Sequence, residues 1–286
     1  MIANPQEIPI TDNHIHVDHI NGEGPVKVAK LFYNSGGRVM MIPNKPSWTI
    51  EKPFEFNEAM DLVISYVNEI NENTNVKAFA ICGVHPAEFS KLIESGKSYE
   101  ESYEIVKKAL NYSKQLVIDK QAVAIGEIGR PHYEVSPEEL KYQNNILKYA
   151  LSLAKDIDCP IQLHTETANE LTFKEFASIG DEIGFNKNKL IKHFSGPFIN
   201  YEENFGIFPS VMSDKKNIEI AISKGTRFFM ETDYLDDLSR PGAVLGPRTV
   251  PKRTLDFIKK GIFTEEDAYK IHKENIEAIY EIDLKD

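Results

Sequence analysis

The stretch Asp12-Asn13-His14-Ile15-His16, flanked by Ile8, Ile10 and Val17, reads as a β-strand because its apolar residues are mostly β-branched. Side chains alternate faces along a strand, so His14 and His16 point the same way. Two imidazoles on one face can share one metal ion. An isolated His-x-His is equally compatible with two core histidines on an ordinary strand. The rest of the chain decides between these, because later strands end in candidate partners.

Working outward, Gly24-Pro25 opens a helix that stops at Ser35-Gly36-Gly37, where glycine supplies a left-handed cap. Val39-Met40-Met41-Ile42 is a short, fully apolar second strand. A connection with Pro43, Pro46, Trp48 and Pro53 leads to a helix around Ala59–Glu72. The third strand, Val76–Val84, breaks at His85-Pro86; a helix near Tyr99–Lys114 and a fourth strand, Ala122–Glu127, come next. Ser136-Pro137-Glu138-Glu139 is a helix start with a serine N-cap and proline in the first position. Leu140, Leu147, Leu151 and Ala154 then mark its expected buried stripe. Further strands are expected at Pro160–His164, Leu190–His193, Phe205–Val211 and Arg227–Asp233. Helices near Asn169–Ile183 and Asn217–Ser223 intervene, and a closing helix starts at Thr264. Eight short apolar strands alternating with helices or long connections imply a parallel sheet. In this length a (β/α)8 TIM barrel fits best, as one domain spanning residues 1–286. An open doubly wound sheet is the alternative, but no glycine-rich phosphate fingerprint follows any strand.

Composition narrows the function. A chain that is 41% hydrophobic and 27% charged has ample core for a globular protein. Its net charge of -11 argues against a protein that coats nucleic acid, though not against an enzyme that meets it briefly. No apolar run reaches the roughly 18 residues of a membrane span. Met1-Ile2-Ala3-Asn4-Pro5 lacks the basic and apolar parts of a signal peptide. Cys82 and Cys159 lie in apolar runs and imply no disulfide framework. A cytoplasmic protein with no membrane association and no evident obligate protein partner is expected.

The active site of such a barrel lies at the C-terminal ends of its strands. Those ends carry His14, His16, His85, Glu127, His164, His193 and Asp233. Imidazoles and carboxylates converging on one mouth point to a divalent metal site, with zinc, manganese or magnesium as candidates. Six ligands exceed one tetrahedral site, so two ions are expected, with Glu127 as the carboxylate between them. Asp233, able to ligate and to accept a proton, is the candidate general base.

Asp12-x-His14-x-His16, Gly83-Val84-His85-Pro86, Ala124-Ile125-Gly126-Glu127-Ile128-Gly129, Pro160-Ile161-Gln162-Leu163-His164, His193-Phe194-Ser195-Gly196 and Glu231-Thr232-Asp233 stand in this order. Together they resemble the motifs of the TatD family, metal-dependent hydrolases of the amidohydrolase superfamily. The resemblance implies that His14, His16, Glu127 and Asp233 hold one metal and that Glu127, His164 and His193 hold the other. It implies a substrate contact for His85 and an activity of deoxyribonuclease type, with relatives that cleave other bonds, including the ester of mischarged transfer RNA.

The sequence departs from that pattern in the loops after strands, which select substrate on this fold. Arg130-Pro131-His132 stands where leucine and aspartate are usual. Tyr234-Leu235-Asp236-Asp237 replaces a small residue, proline and an aromatic, and Glu166 follows His164 where an arginine is usual. Arg130, Glu166, Tyr234 and Arg248 are therefore expected substrate contacts. Arg240, Arg248, Lys252 and Arg253 sit in a proline- and glycine-rich segment that either neutralises a phosphate or is a solvated loop balancing Asp236 and Asp237. Trp48 is either a lid or base-stacking residue or ordinary loop packing. The expected function is cleavage of phosphodiesters in DNA or RNA, the substrate being nucleic acid or a small molecule met transiently. The alternatives are hydrolysis of an ester, lactone or amide, and a binding protein that keeps metal without turnover.

Overall fold

The computed structural model describes residues 8–284, so the Met1–Pro5 stretch lies outside the described residues. The strands run in the order β1 (Thr11–Asp12), β3 (Val39–Pro43), β4 (Lys77–Cys82), β5 (Ala124–Gly129), β6 (Ile161–His164), β7 (Leu190–Lys192), β8 (Phe208–Met212) and β9 (Phe229–Glu231). Every pairing between neighbours is parallel. The ring closes between β9 and β1, where the Asn13 amide donates to the Met230 carbonyl at 2.9 Å. This is the expected (β/α)8 barrel.

Alternation along the strands sorts the core. Val39 and Met41 of β3 belong to one cluster with Ile81, Ala124, Ile191, Phe208 and Phe229. Met40 and Ile42, one residue out of phase, pack in a second cluster with residues of the helices, among them Phe32 and Met60. A period of two, repeated around the ring, builds an inner and an outer core from the same strands.

The first strand is not continuous. After β1 the chain bends at Asn13-His14 and resumes as β2 (Ile15–His16), which pairs in parallel with β10 (Tyr234–Leu235). The cause is Asp12, whose carboxylate accepts the amides of His14 and Thr232 and the Thr232 hydroxyl. Backbone that would continue the β1 ladder is turned toward the end of β9.

The helices follow the caps. Pro25–Tyr33, Phe56–Asn73 and Tyr99–Ile118 form where expected, and Ser136 caps Pro137–Asp156 by accepting from the Glu139 amide at 3.1 Å. Its buried stripe contains Leu147, Leu151 and Ala154, joined by Ile146 and Ala150, while Leu140 is exposed. Among the described residues three helices fall where the sequence reading places none, the shortest being Tyr201–Asn204. Pro86–Glu94 starts directly at the third strand end, with His85 as N-cap and Pro86 in its first position. Thr249–Lys259 occupies what reads as loop, because Pro251 lies in its first turn, where a missing N–H does no harm. The closing segment starts at Thr264 and passes through a π-helical turn, Lys270–Glu274, before ending at Tyr280. No helix among the described residues is long and apolar enough to cross a membrane.

Candidate active site

His14 lies in the bend after β1 and His16 at the end of β2, and the ring partners of each fix its proton. The Gln162 Nε2 donates to the Asn13 carbonyl at 3.0 Å, so its Oε1 is the end that faces His14 Nδ1, at 2.8 Å. The Pro43 carbonyl faces His16 Nδ1 at 3.2 Å. Both oxygens can only accept, so each Nδ1 carries the hydrogen and each Nε2 presents a lone pair. The two Nε2 atoms lie 3.1 Å apart. Two neutral imidazoles cannot hydrogen-bond lone pair to lone pair, and burial pushes His14 down to about 3 and lowers His16 as well. A cation ligated by both nitrogens would account for the contact.

Glu127, in the second half of β5 and buried, is the hub. Its Oε2 lies 2.9 Å from His164 Nδ1, 3.5 Å from His193 Nε2 and 3.7 Å from His14 Nε2. Its Oε1 lies 3.7 Å from His16 Nε2. Burial alone would raise this carboxyl, but His14, His164 and His193 hold it well below the usual carboxylate range. The strand pairing slips between Gly126 and Ile128, which turns Glu127 out of the β5–β6 ladder.

Asp233 completes the ring in the left-handed conformation, φ 52°, tolerated by aspartate better than by most residues. Its amide donates to the His14 carbonyl at 2.9 Å, and its Oδ1 lies 3.6 Å from His14 Nε2. Burial, with repulsion from Glu127 and Asp12, pushes its carboxyl up to about 8. Ligand atoms of His14, His16 and Asp233 come within 4.8 Å of one another, as do those of His85, Glu127 and His164. The residues present therefore fit divalent metal: neutral nitrogens of His14 and His16 with lone pairs aimed inward, beside the buried carboxyl groups of Glu127 and Asp233.

His193 stacks on His14 with ring centroids 4.0 Å apart. Its Nδ1 donates to Glu231 Oε1 at 3.1 Å, leaving Nε2 for Glu127's side of the site. Glu231 also accepts from the Phe194 amide at 2.7 Å and from the Ser210 hydroxyl. It is fully buried, and desolvation raises it well above the usual range. A carboxylate behind a ligating histidine fixes its ring and proton. Sequence reasoning assigns Glu231 no role; the signal available is its place in Glu231-Thr232-Asp233. His85 faces the cavity differently. The Ala87 amide donates to its Nδ1 at 3.2 Å, so a neutral His85 keeps its proton on Nε2 and offers a donor rather than a lone pair.

Four expected substrate contacts lie elsewhere. Arg130 is buried against α-helical neighbours: it donates to Asn144 at 2.8 Å, pairs with Glu175 at 2.8 Å and Glu166 at 3.2 Å, and sits 4.6 Å over the Phe176 ring. It and Glu166 form a structural ion pair outside the cavity lining. Tyr234 turns away to Asp236, its hydroxyl 3.3 Å from Oδ1. Arg248 shares a separate surface concavity with Lys252 and Arg253, because the helix starting at Thr249 carries them off. Asp236 balances no arginine there; it accepts the Asp18, Glu23 and Gly24 amides and ties the first loop to the last. The cations that do line the mouth are Lys45, 2.5 Å from Asp18, and Arg240, in a cavity of about 550 Å³ that also includes Trp48.

A model of the TatD-related DNase family matches residues 11–281, nearly the whole chain. The chain belongs to the TatD family. An uncharacterised protein of Methanocaldococcus jannaschii is 49% identical over 281 residues, 98% of each chain. The solved TatD homologue YjjV of Escherichia coli shares the fold with a TM-score of 0.66 at 18% identity, over 96% of this chain and 99% of that one. The phosphotriesterase homology protein of E. coli, solved with phosphate in its active site, gives 0.64 at 14% identity, over 97% of this chain and 100% of that one. This TatD protein is accordingly a hydrolase by family, and its His, Asp and Glu clusters supply candidate metal ligands.

Proposed function

We propose that this TatD protein is a two-metal hydrolase of phosphodiester bonds in DNA or RNA, working in the cytoplasm on substrates it meets transiently. The observation that carries the two-metal part is Glu127, around whose carboxylate four histidines gather, His14, His164 and His193 at Oε2 and His16 at Oε1, more ligands than one ion needs. His14, His16, Glu127 and Asp233 would hold one ion, and Glu127, His164 and His193 the other. Zinc, manganese or magnesium bound there would supply Lewis acidity and an activated water.

The chain's own groups fill the remaining roles. Asp233, lining the cavity beside His14, is placed to accept a proton at Oδ during attack. His85 aims its Nε2–H at the cavity and can stabilise charge developing on a substrate oxygen. Lys45, held by Asp18, provides a fixed cation beside the ligands, which a phosphoryl group needs more than a neutral carbonyl does. The phosphate in the active site of the E. coli phosphotriesterase homology protein supports the same choice by analogy of fold. Free, buried Cys82 and Cys159 suit a reducing compartment.

The test is a metal-swapped activity screen of the wild type against oligonucleotides and a panel of carboxyl esters, lactones and amides. Metal-dependent cleavage of DNA or RNA is expected. Ester or lactone hydrolysis without any cleavage of nucleic acid would replace the phosphodiester assignment with the carbonyl one.

A further inference from the structure

Part of the cavity wall beyond the ligands belongs to the connection after β3. Ser47–Ile50 is a single 3-10 turn in the connection after β3, and Trp48 and Lys45 of this segment both line the cavity. The turn is fixed from beneath. Glu88, buried in the helix Pro86–Glu94, accepts the Ser47 amide and, at 3.0 Å, its hydroxyl; the same hydroxyl accepts the Phe54 amide at 2.8 Å. Lys91 of that helix covers one face of the indole, 4.9 Å from its centroid, and the ring still lines the cavity. The Trp48 ring stands perpendicular to His85 with centroids 6.5 Å apart, and His85 is 4.2 Å from His164. An aromatic plane is thus held rigidly one ring beyond the ligand shell. A held plane of this kind stacks planar ligands at little ordering cost.

The charges on the rim set the size of what binds. Apart from the ligand set, the charged residues lining the cavity are Lys45, Arg240, Glu51 and Asp237, two of each sign. Asp237 is held ionised by Ser239, and Lys45 is already paired with Asp18. A long polyanion needs a stripe of cations along its backbone, and this mouth has no surplus. A cavity of about 550 Å³ is of the size that encloses a small molecule.

We propose that Trp48 is the base-stacking, specificity-determining residue of the site, and that the site engages a single nucleotide unit rather than the length of a nucleic acid. The inference rests on the phosphodiester assignment for its chemistry but not for its test. Trp48 is the one tryptophan of the sequence, so its fluorescence reports on the cavity directly.

The experiment titrates the metal-loaded protein with adenosine 5′-monophosphate, with ribose 5-phosphate, and with oligoadenylates of increasing length. The mononucleotide should quench Trp48, and ribose 5-phosphate should not. Calorimetry should show Trp48→Ala binding the mononucleotide roughly tenfold or more weakly, with Trp48→Phe retaining most of the affinity, as stacking requires. Oligomer affinity should stay within about threefold of the mononucleotide's, with a salt slope near that of one or two phosphates. Equal responses to both phosphates, or Trp48→Ala binding as tightly as wild type, would overturn the stacking role. Affinity that climbs tenfold or more with length would overturn the single-nucleotide site. Stacking without any phosphodiester cleavage would leave this inference standing and remove the assigned reaction alone.

Discussion

Gln162 is the most informative residue to remove, because it touches neither substrate nor metal and yet sets the proton on His14. Gln162→Leu keeps the volume of a fully buried side chain but deletes three hydrogen bonds, His14 Nδ1–H to Oε1 at 2.8 Å, Nε2 to the Asn13 carbonyl at 3.0 Å and a long one from Nε2 to the Tyr280 hydroxyl at 3.5 Å; the first two leave a buried group unsatisfied, while Tyr280 still donates to Asn13. Each buried group left unsatisfied costs about 1–3 kcal/mol, so the metal-free variant should lose about 2–6 kcal/mol of stability. The second effect is specific. Without its acceptor, His14 is free to carry its hydrogen on Nε2, where it blocks the lone pair that faces His16. Removing a partner behind a ligating histidine costs roughly 10–100-fold in metal affinity, about 1.4–2.7 kcal/mol. Urea unfolding of chelator-treated protein gives the first quantity, and competition against a chromophoric chelator gives the second. Metal affinity within about twofold of wild type would refute the argument that Gln162 holds the tautomer, whatever happened to stability.

Two further outcomes are expected. His272 is fully buried, with its Nδ1 3.1 Å from the Thr11 amide and its Nε2 2.8 Å from the Thr254 hydroxyl, and burial pushes it down to about 3. Its folded-state value lies below the unfolded 6.5, so its contribution is complete above pH 6.5 and is lost as pH falls toward 3. The loss approaches about 1.4 kcal/mol per pH unit. Wild type minus His272→Gln stability, followed by urea unfolding from pH 7 to 4.5, should show that slope; parallel curves would mean His272 does not stay neutral. For the reaction, Asp233→Asn should lower turnover on the order of a hundredfold or more at equal metal content. Turnover within a few-fold of wild type would remove Asp233 from proton transfer.

The barrel and its mouth were legible because both arise from strand alternation. Val39 and Met41 face one way and Met40 and Ile42 the other; His14 and His16 do meet, but across the bend that Asp12 makes at Asn13-His14 rather than along one unbroken strand. What sequence could not give is the direction of side chains just beyond a strand. Arg130 stands three residues after Glu127, yet it turns outward onto Phe176, because Asn144, Glu166 and Glu175 are contributed by later parts of the chain. Lys45 was hidden, and Trp48 undecided between lid or base-stacking residue and loop packing, for the converse reason. A proline-rich connection has no periodicity, and its course is set by Glu88, some forty residues on. Glu231 was invisible as a partner of His193 because a strand-end carboxylate reads the same whether it ligates or supports. Thr249–Lys259 was missed because proline reads as a breaker unless it falls in the first turn.

The central claim is that Glu127 joins two ion sites, one completed by His14, His16 and Asp233 and the other by His164 and His193. Elemental analysis of the purified protein, saturated with a divalent metal and freed of excess, measures this directly. The account predicts two ions per chain in the wild type and one in His164→Ala, since the first site retains its own ligands. A wild type saturated by a single ion, or a His164→Ala variant that still holds two, would contradict it.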